Sequence, residues 1–310
     1  MVHYSSGNSP VIICRGMCDA SAVVPFGQYF IVANDEDNAL RVFPRAQGGL
    51  PLHTFELSSF LRVDPKSPEA DFEGAAPIGD RVYWITSHAR NKNGKERPSR
   101  RRFFATTISA SNGVPIIQPV GLPYAGLLSN LVNDDRLSRF KLASAARRAP
   151  KSKNALNIEA LCSTPEGHLL LGFRNPIPNG NALLVPLLNP DQLIAGKPAQ
   201  FGEPILLDLG GLGIRSLART GSRYFIIAGS FDDQHQPLLY EWRGGTDKPC
   251  SMQRAELKGL NPEAIECFTE NAVERLLVVS DDGALKIGGH ECKELLDPNL
   301  KYFRATTLDL

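Results

Sequence analysis

A four-residue pattern returns five times along this 310-residue chain, and an apolar stretch follows each copy roughly ten residues later. The copies are Asp19-Ala20-Ser21-Ala22, Asp71-Phe72-Glu73-Gly74, Asn157-Ile158-Glu159-Ala160, Gly213-Ile214-Arg215-Ser216 and Asn261-Pro262-Glu263-Ala264. The stretches that follow are Tyr29 to Ala33, Arg81 to Thr86, His168 to Phe173, Arg223 to Ala228 and Arg275 to Val279. Turns such as Gly79-Asp80 and Glu166-Gly167 separate pattern from stretch, so each pair reads as two strands of a hairpin. A third strand follows at Ala39 to Phe43, Arg101 to Ile108, Ala182 to Leu188 and Pro237 to Trp242. A fourth follows at Leu52 to Leu57, Pro115 to Val120, Pro204 to Leu209 and Met252 to Leu257.

Four strands recurring about every fifty residues mark the blades of a β-propeller, because one blade cannot bury both its faces until neighbours stack on it. The expectation is therefore an all-β chain, a β-propeller of about five blades formed by residues 1–310 as a single domain. Six blades stay open, since the last unit offers only Ala284 to Ile287 and Lys301 to Leu308 after its hairpin. Val11 to Cys14 has no place in the first blade and is expected to pair with the last one, fastening the ring. The stretch 124–148 breaks the rhythm: Leu127, Leu128, Leu131 and Val132 share a helical face, and Asp134-Asp135 divides the segment. This helical insertion is expected on the face of the channel mouth, where it could act as a lid.

Composition narrows the function. A formal net charge of +1 gives no global field for nucleic acid or an acidic membrane surface, and no apolar run is long enough to span a bilayer. The expected partners are thus a small anionic molecule or a protein, with no nucleic acid and no membrane. The basic run Lys92 to Arg102 is taken as a solvated loop and Phe103-Phe104 as core. Met1 to Pro10 is polar and lacks the layout of a secretory signal, although a chain whose signal had been removed would look the same. Cys14, Cys18, Cys162, Cys250, Cys267 and Cys292 form no C-x-x-C pair and are read as buried, reduced thiols of a cytoplasmic protein.

In a propeller the loops entering each inner strand and the loops between second and third strands emerge on one face. That topology gathers polar residues scattered over the sequence. Asp35, Asp37, Glu73, Glu159, Glu263 and Asp282 are candidate ligands for calcium or another divalent cation, which take oxygen donors; hydrogen bonding between blades is the structural alternative. Arg90-Asn91 and Arg174-Asn175 repeat the same pair, and with Arg215 they are candidates for holding an anion, although Arg215 could equally neutralise Glu159 and Glu263. His88 is the candidate proton shuttle.

The segments Asp71 to Ala76, Tyr83 to Asn91, Arg97 to Phe103, Leu156 to Leu161, Gly172 to Pro176, Leu207 to Gly211 and Gly213 to Ser216 resemble a bacterial family of unknown function, over nearly the whole chain. Ala160 stands where that family's wording has Gly. The Glu-Gly before an inner strand is also similar, locally, to the esterase-like phytase propellers. That likeness implies a propeller and permits calcium, and it transfers no catalytic residue.

The function expected on these grounds is binding of a small anionic ligand at the channel mouth, with metal-dependent phosphoester hydrolysis, a hydrolase activity, as the reaction such a site could run. The alternative is a non-enzymatic protein-interaction propeller.

Overall fold

The computed structural model describes residues 10–310. The polar start read above, Met1 to Ser9, lies outside the described residues. After β1 (Ile12–Arg15), the first blade is β2 (Ala20–Phe26), β3 (Tyr29–Asn34), β4 (Ala39–Pro44) and β5 (His53–Glu56). The second is β6 (Phe72–Ile78), β7 (Arg81–Thr86), β8 (Phe103–Ser111) and β9 (Val114–Tyr124). The third is β10 (Asn157–Ser163), β11 (Leu169–Asn175), β12 (Ala182–Leu187) and β13 (Ile205–Leu207). The fourth is β14 (Gly213–Thr220), β15 (Arg223–Gly229), β16 (Leu238–Trp242) and β17 (Cys250–Met252). The rest comprises β18 (Pro262–Glu270), β19 (Val273–Ser280), the short pair β20 (Lys286–Ile287) and β21 (His290–Glu291), and β22 (Tyr302–Asp309).

Five four-stranded antiparallel sheets result, so the molecule is a five-bladed propeller. Its inner strands β2, β6, β10, β14 and β18 each contact the next around a closed ring. The last sheet runs β18-β19-β22-β1, with Cys14 opposite Phe303. The expected fastening by the N-terminal strand is therefore present. It settles the blade count, because Lys301 to Leu308 is the third strand of that blade and β1 supplies the fourth. Ala284 to Ile287 is not a blade strand; its end pairs with His290–Glu291 in a separate hairpin.

Alternation along each strand sends successive side chains to opposite faces, hence to different neighbouring blades. In β3, Ile31 and Ala33 pack towards the second blade, whereas Phe30 and Val32 pack towards the fifth. One apolar cluster fills each of the five interblade seams. Strands covered on both faces need no polar side, which is why β11 is a nearly unbroken apolar run that is buried throughout.

The helical segment follows β9 as helices at Leu127–Asn133 and Leu142–Ala145 around a 3-10 stretch at Asp135–Phe140. The Asp134 side chain caps that middle stretch by accepting from the Arg136 amide. Its apolar face does not roof the mouth. Leu127, Leu131, Leu137 and Phe140 are packed into the seam between the second and third blades, and only Pro150 and Lys151 beyond the helices reach the channel cavity. Apolar burial fixes the helices to the side of the ring and overturns the lid expectation.

The cysteine reading also needs correction. Cys18 and Cys292 form a disulfide, joining the entry to the first blade with the loop that precedes β22. Cys14 and Cys162 are buried free thiols as expected, but Cys250 is exposed. Among the described residues no helix is long and apolar enough to cross a membrane.

Candidate functional site

Each inner strand carries the same irregularity. Pairing with the second strand skips one residue between Ala20 and Ala22, Phe72 and Gly74, Ile158 and Ala160, Ile214 and Ser216, and Pro262 and Ala264. The skipped residues are Ser21, Glu73, Glu159, Arg215 and Glu263. A bulge leaves its residue out of the ladder and re-aims its side chain, and all five line one cavity of about 600 Å3 at the channel mouth. The sequence repeat is thus a repeat of bulges.

Carboxylates outnumber lysines and arginines around this cavity. Glu73, Glu159 and Glu263, from three blades, each place a carboxylate oxygen within 4.8 Å of the others. Glu159 Oε1 accepts hydrogen bonds from Asn157 Nδ2 at 2.6 Å and Arg174 Nη1 at 2.8 Å. Among the described residues its Oε2 is buried with no hydrogen bond, and it lies 3.8 Å from Arg215 Nε. Arg174 also donates to the Ser230 carbonyl at 2.9 Å and pairs with Asp233, and Arg215 pairs with Glu263. Asp233 is held in turn by Lys151 Nζ at 2.6 Å.

Two guanidiniums do not neutralise this cluster. Burial, and then the charges of Glu159 and Asp71, push the Glu73 carboxyl well above the usual carboxylate range. Burial likewise raises Glu263 to about 8, against the pull of Arg215. Burial alone would lower Arg174, but Glu159, Glu263 and Asp233 more than offset it, so it stays charged.

A second acidic group sits at the blade 1 side of the mouth, where Asp19, Asp35 and Glu36 also bring carboxylate oxygens within 4.8 Å. Burial, then Asp281 and Glu36, raise Asp19 to about 7. Asp35 is pushed well up by burial and by Asp19.

The remaining candidates disperse. Asp37 is a turn residue paired with Arg41 Nη2 at 2.6 Å, away from the cavity. Asp282 binds Arg304 Nη2 at 2.7 Å and Ser280 Oγ at 2.9 Å; its neighbour Asp281 faces the cavity instead. Arg90 spends its donors on the carbonyls of Ala146 and Gly94, each at 3.0 Å. Asn91 lines the cavity. Asn175 does not; it donates to the carbonyls of Pro150 and Ser152, at 3.0 and 2.8 Å.

His88 is 1% exposed and outside the cavity lining. Its Nδ1 lies 2.7 Å from the Thr86 carbonyl, and burial, against that contact, lowers its pKa to about 4. A neutral, enclosed imidazole cannot exchange protons with a ligand in the cavity, so the proton-shuttle role is not supported.

The basic run Lys92 to Arg102 is only partly solvated. Arg100 Nη1 lies 2.8 Å from Asp71 and the same guanidinium pairs with Glu69. Arg102 donates to the Leu61 and Arg62 carbonyls, at 2.7 and 2.9 Å, while Lys92 and Lys95 are exposed. Arg100, Lys151, Asp233 and Lys293 are cavity residues outside the sequence-derived set, and they sit in loops whose sequences do not repeat from blade to blade.

Fold and site together define a five-bladed β-propeller with a charged, carboxylate-rich channel mouth. The chain belongs to the family described as protein of unknown function (DUF3616), whose pattern matches residues 124–286. Comparison with curated proteins gives no match. Among solved structures it is similar to the major allergen Mala s 1 of Malassezia sympodialis, at 10% identity over 96% of each chain with a TM-score of 0.53. Similarity also extends to Myxococcus xanthus glutaminyl cyclase, at 11% identity over 97% of this chain and 95% of that one, TM-score 0.48. A Trypanosoma rangeli sialidase mutant displaying trans-sialidase activity matches at 10% identity over 94% of this chain and 54% of that one, TM-score 0.47. At 10% identity the likeness to Mala s 1 is one of fold alone.

Proposed function

We propose that this propeller binds a divalent cation at Glu73, Glu159 and Glu263 and, over the ion, a small anionic molecule of the phosphoester class. The observation that carries the reading is Glu159: one oxygen is fixed by Arg174 and Asn157, and the other is buried towards two further carboxylates without a hydrogen bond. A buried carboxylate oxygen without a hydrogen bond is costly, and coordination to a cation relieves it. All donors are oxygens, which suits calcium, magnesium or manganese.

Anion capture then depends on the ion more than on the arginines. Arg174 and Arg215 are already bonded to carboxylates, whereas Lys92 and Arg97 at the rim carry no such pairing among the described residues. When bound, such an ion polarises a phosphoryl oxygen and lowers the pKa of its water, which makes hydrolysis the activity to assay. The Cys18–Cys292 disulfide favours an oxidising compartment over the cytoplasm.

The test is calorimetric titration of metal-free protein with calcium, magnesium and manganese, followed by p-nitrophenyl phosphate, with turnover measured in parallel. Phosphoester binding that needs the ion and disappears in Glu159→Gln supports the proposal. Wild-type protein that binds neither ion nor ester at this cluster overturns it and leaves the protein-interaction reading, to be pursued through a partner lost on neutralising Lys92 and Lys95.

A further inference from the structure

We infer that Asp19, Asp35 and Glu36 form a separate divalent-cation site, of the calcium class, at the seam where the first and last blades close the ring. Asp19 lies in the loop entering β2, and Asp35 and Glu36 lie in the loop leaving β3. The two loops are tied by the Asp35 amide donating to the Asp19 carbonyl at 3.4 Å. Their three ligand oxygens lie within 4.8 Å of one another.

Two observations separate this cluster from an ordinary acidic surface. Asp19 is only 8% exposed, and its carboxylate takes part in no hydrogen bond or ion pair among the described residues. Asp35 Oδ1 is buried and also lacks a hydrogen-bond partner. The glutamate triad is laced by Arg174 and Arg215, but among the described residues no guanidinium pairs with this group.

The last blade adds to the charge and closes the site. Asp281 and Asp71 contribute further negative charge around Asp35. Lys293 and Lys301 are the cations that face Asp19, and Lys293 has its nearest carboxylate in Glu291, at 3.9 Å. Gly283 lies so close over Asp19 that a Cβ there would collide with Oδ1. Its amide donates to Asp281 Oδ1 at 2.9 Å, and the next residue back, Asp282, donates its amide to the Cys18 carbonyl at 3.0 Å. The loop of the fifth blade is thus folded onto the carboxylates of the first. Hard oxygen donors in a loosely ordered set match calcium, which tolerates irregular geometry. An ion here would hold the two ends of the ring together beside the disulfide.

The experiment measures calcium stoichiometry by equilibrium dialysis, and the thermal midpoint in EDTA and in calcium, for three forms of the full chain. These are wild type, Glu73→Gln/Glu159→Gln and Asp19→Asn/Asp35→Asn. The glutamate variant is expected to keep one calcium and a midpoint rise of several degrees, since a ligand at ~100 times its Kd stabilises the folded state substantially. The aspartate variant is expected to lose that ion and that rise. In EDTA it should melt above wild type, because repulsion has been removed; this also shows that it folds. Should it not fold, Glu36→Gln, at an exposed position, should weaken calcium binding about tenfold through loss of one charged ligand. An aspartate variant, or Glu36→Gln in its place, that binds calcium as wild type does would overturn the inference. So would a glutamate variant that binds none. Loss of the triad ion alone bears on the proposed function and leaves the seam site standing.

Discussion

Arg215 stands at the bulged position of the fourth blade, where the fifth blade has Glu263, and the two side chains meet in an ion pair at the channel mouth. One change of sign among five equivalent positions therefore lets a ring of acids persist. Arg215→Met should cost about 3–5 kcal/mol, the range for leaving a buried charge without its partner. Urea denaturation should show only a small loss at about pH 5, where the Glu263 carboxyl holds its proton in the folded protein, and a loss that grows as pH rises through and beyond about 8.

The acidic mouth should also set the pH dependence of the metal-free protein. At the mouth Glu263 is raised to about 8, Asp19 to about 7 and Asp71 to about 6, and Glu266, outside the cavity lining, is also raised to about 8, with burial the leading cause in each. The folded state then binds more protons than the unfolded one from the ordinary carboxylate range up to those values. Stability is full below that range and is lost as pH rises through it. His88 has the opposite sign: lowered to about 4, it removes stability as pH falls from its usual value near 6.5 towards 4. Denaturation in EDTA should give a higher midpoint at about pH 6 than at about pH 8. Glu263→Gln should flatten that difference. His88→Asn, which suits a backbone φ of 56°, should steepen the gain on the acid side.

What the sequence disclosed follows the repeat. Glu73, Glu159, Arg215 and Glu263 were legible because the bulge recurs at one position of each blade, so four weak signals support one another. Arg100, Lys151 and Asp233 lie in loops whose sequences do not repeat from blade to blade, and nothing local marks them as inward. Asp281, and not the candidate Asp282, faces the cavity for a geometric reason. A one-residue offset near a strand end turns the side chain to the other side, and here it sends Asp282 to Arg304 and Asp281 to the cavity. His88 looked like a mouth residue because its neighbours are. Its left-handed backbone turns it inward to the Thr86 carbonyl, a feature no composition reveals. The Cys18–Cys292 pairing was illegible because it depends on ring closure between residues 274 apart.

That disulfide should be detectable and consequential. Non-reducing peptide mapping should recover Cys18 linked to Cys292, with Cys14, Cys162 and Cys267 unlinked. Replacing both bridged cysteines by Ser should lower stability by roughly 2–5 kcal/mol, because the open unfolded chain regains the freedom the cross-link removes. An unchanged denaturation midpoint would mean that β1–β22 pairing already closes the ring by itself.

Gly74 tests the link between blade packing and the site. It follows the bulged Glu73, and a Cβ at this position would meet the Leu161 amide nitrogen at 2.8 Å and the Ala160 carbonyl carbon at 3.0 Å. Both contacts are backbone of the adjacent inner strand, which cannot rotate aside. Ala160 itself fits only because Gly172 opposes it, where a Cβ would be 2.7 Å from the Ala160 methyl. Gly74→Ala must therefore push β6 and β10 apart, at a cost of about 1–3 kcal/mol for overpacking. Since Glu73 rides on β6 and Glu159 on β10, the same change should weaken cation binding at the glutamate cluster and leave calcium at the Asp19 seam unaffected. Calorimetry on Gly74→Ala beside the carboxylate variants proposed above separates the two: equal weakening at both sites would indicate general loosening of the ring instead of a local separation of these two blades.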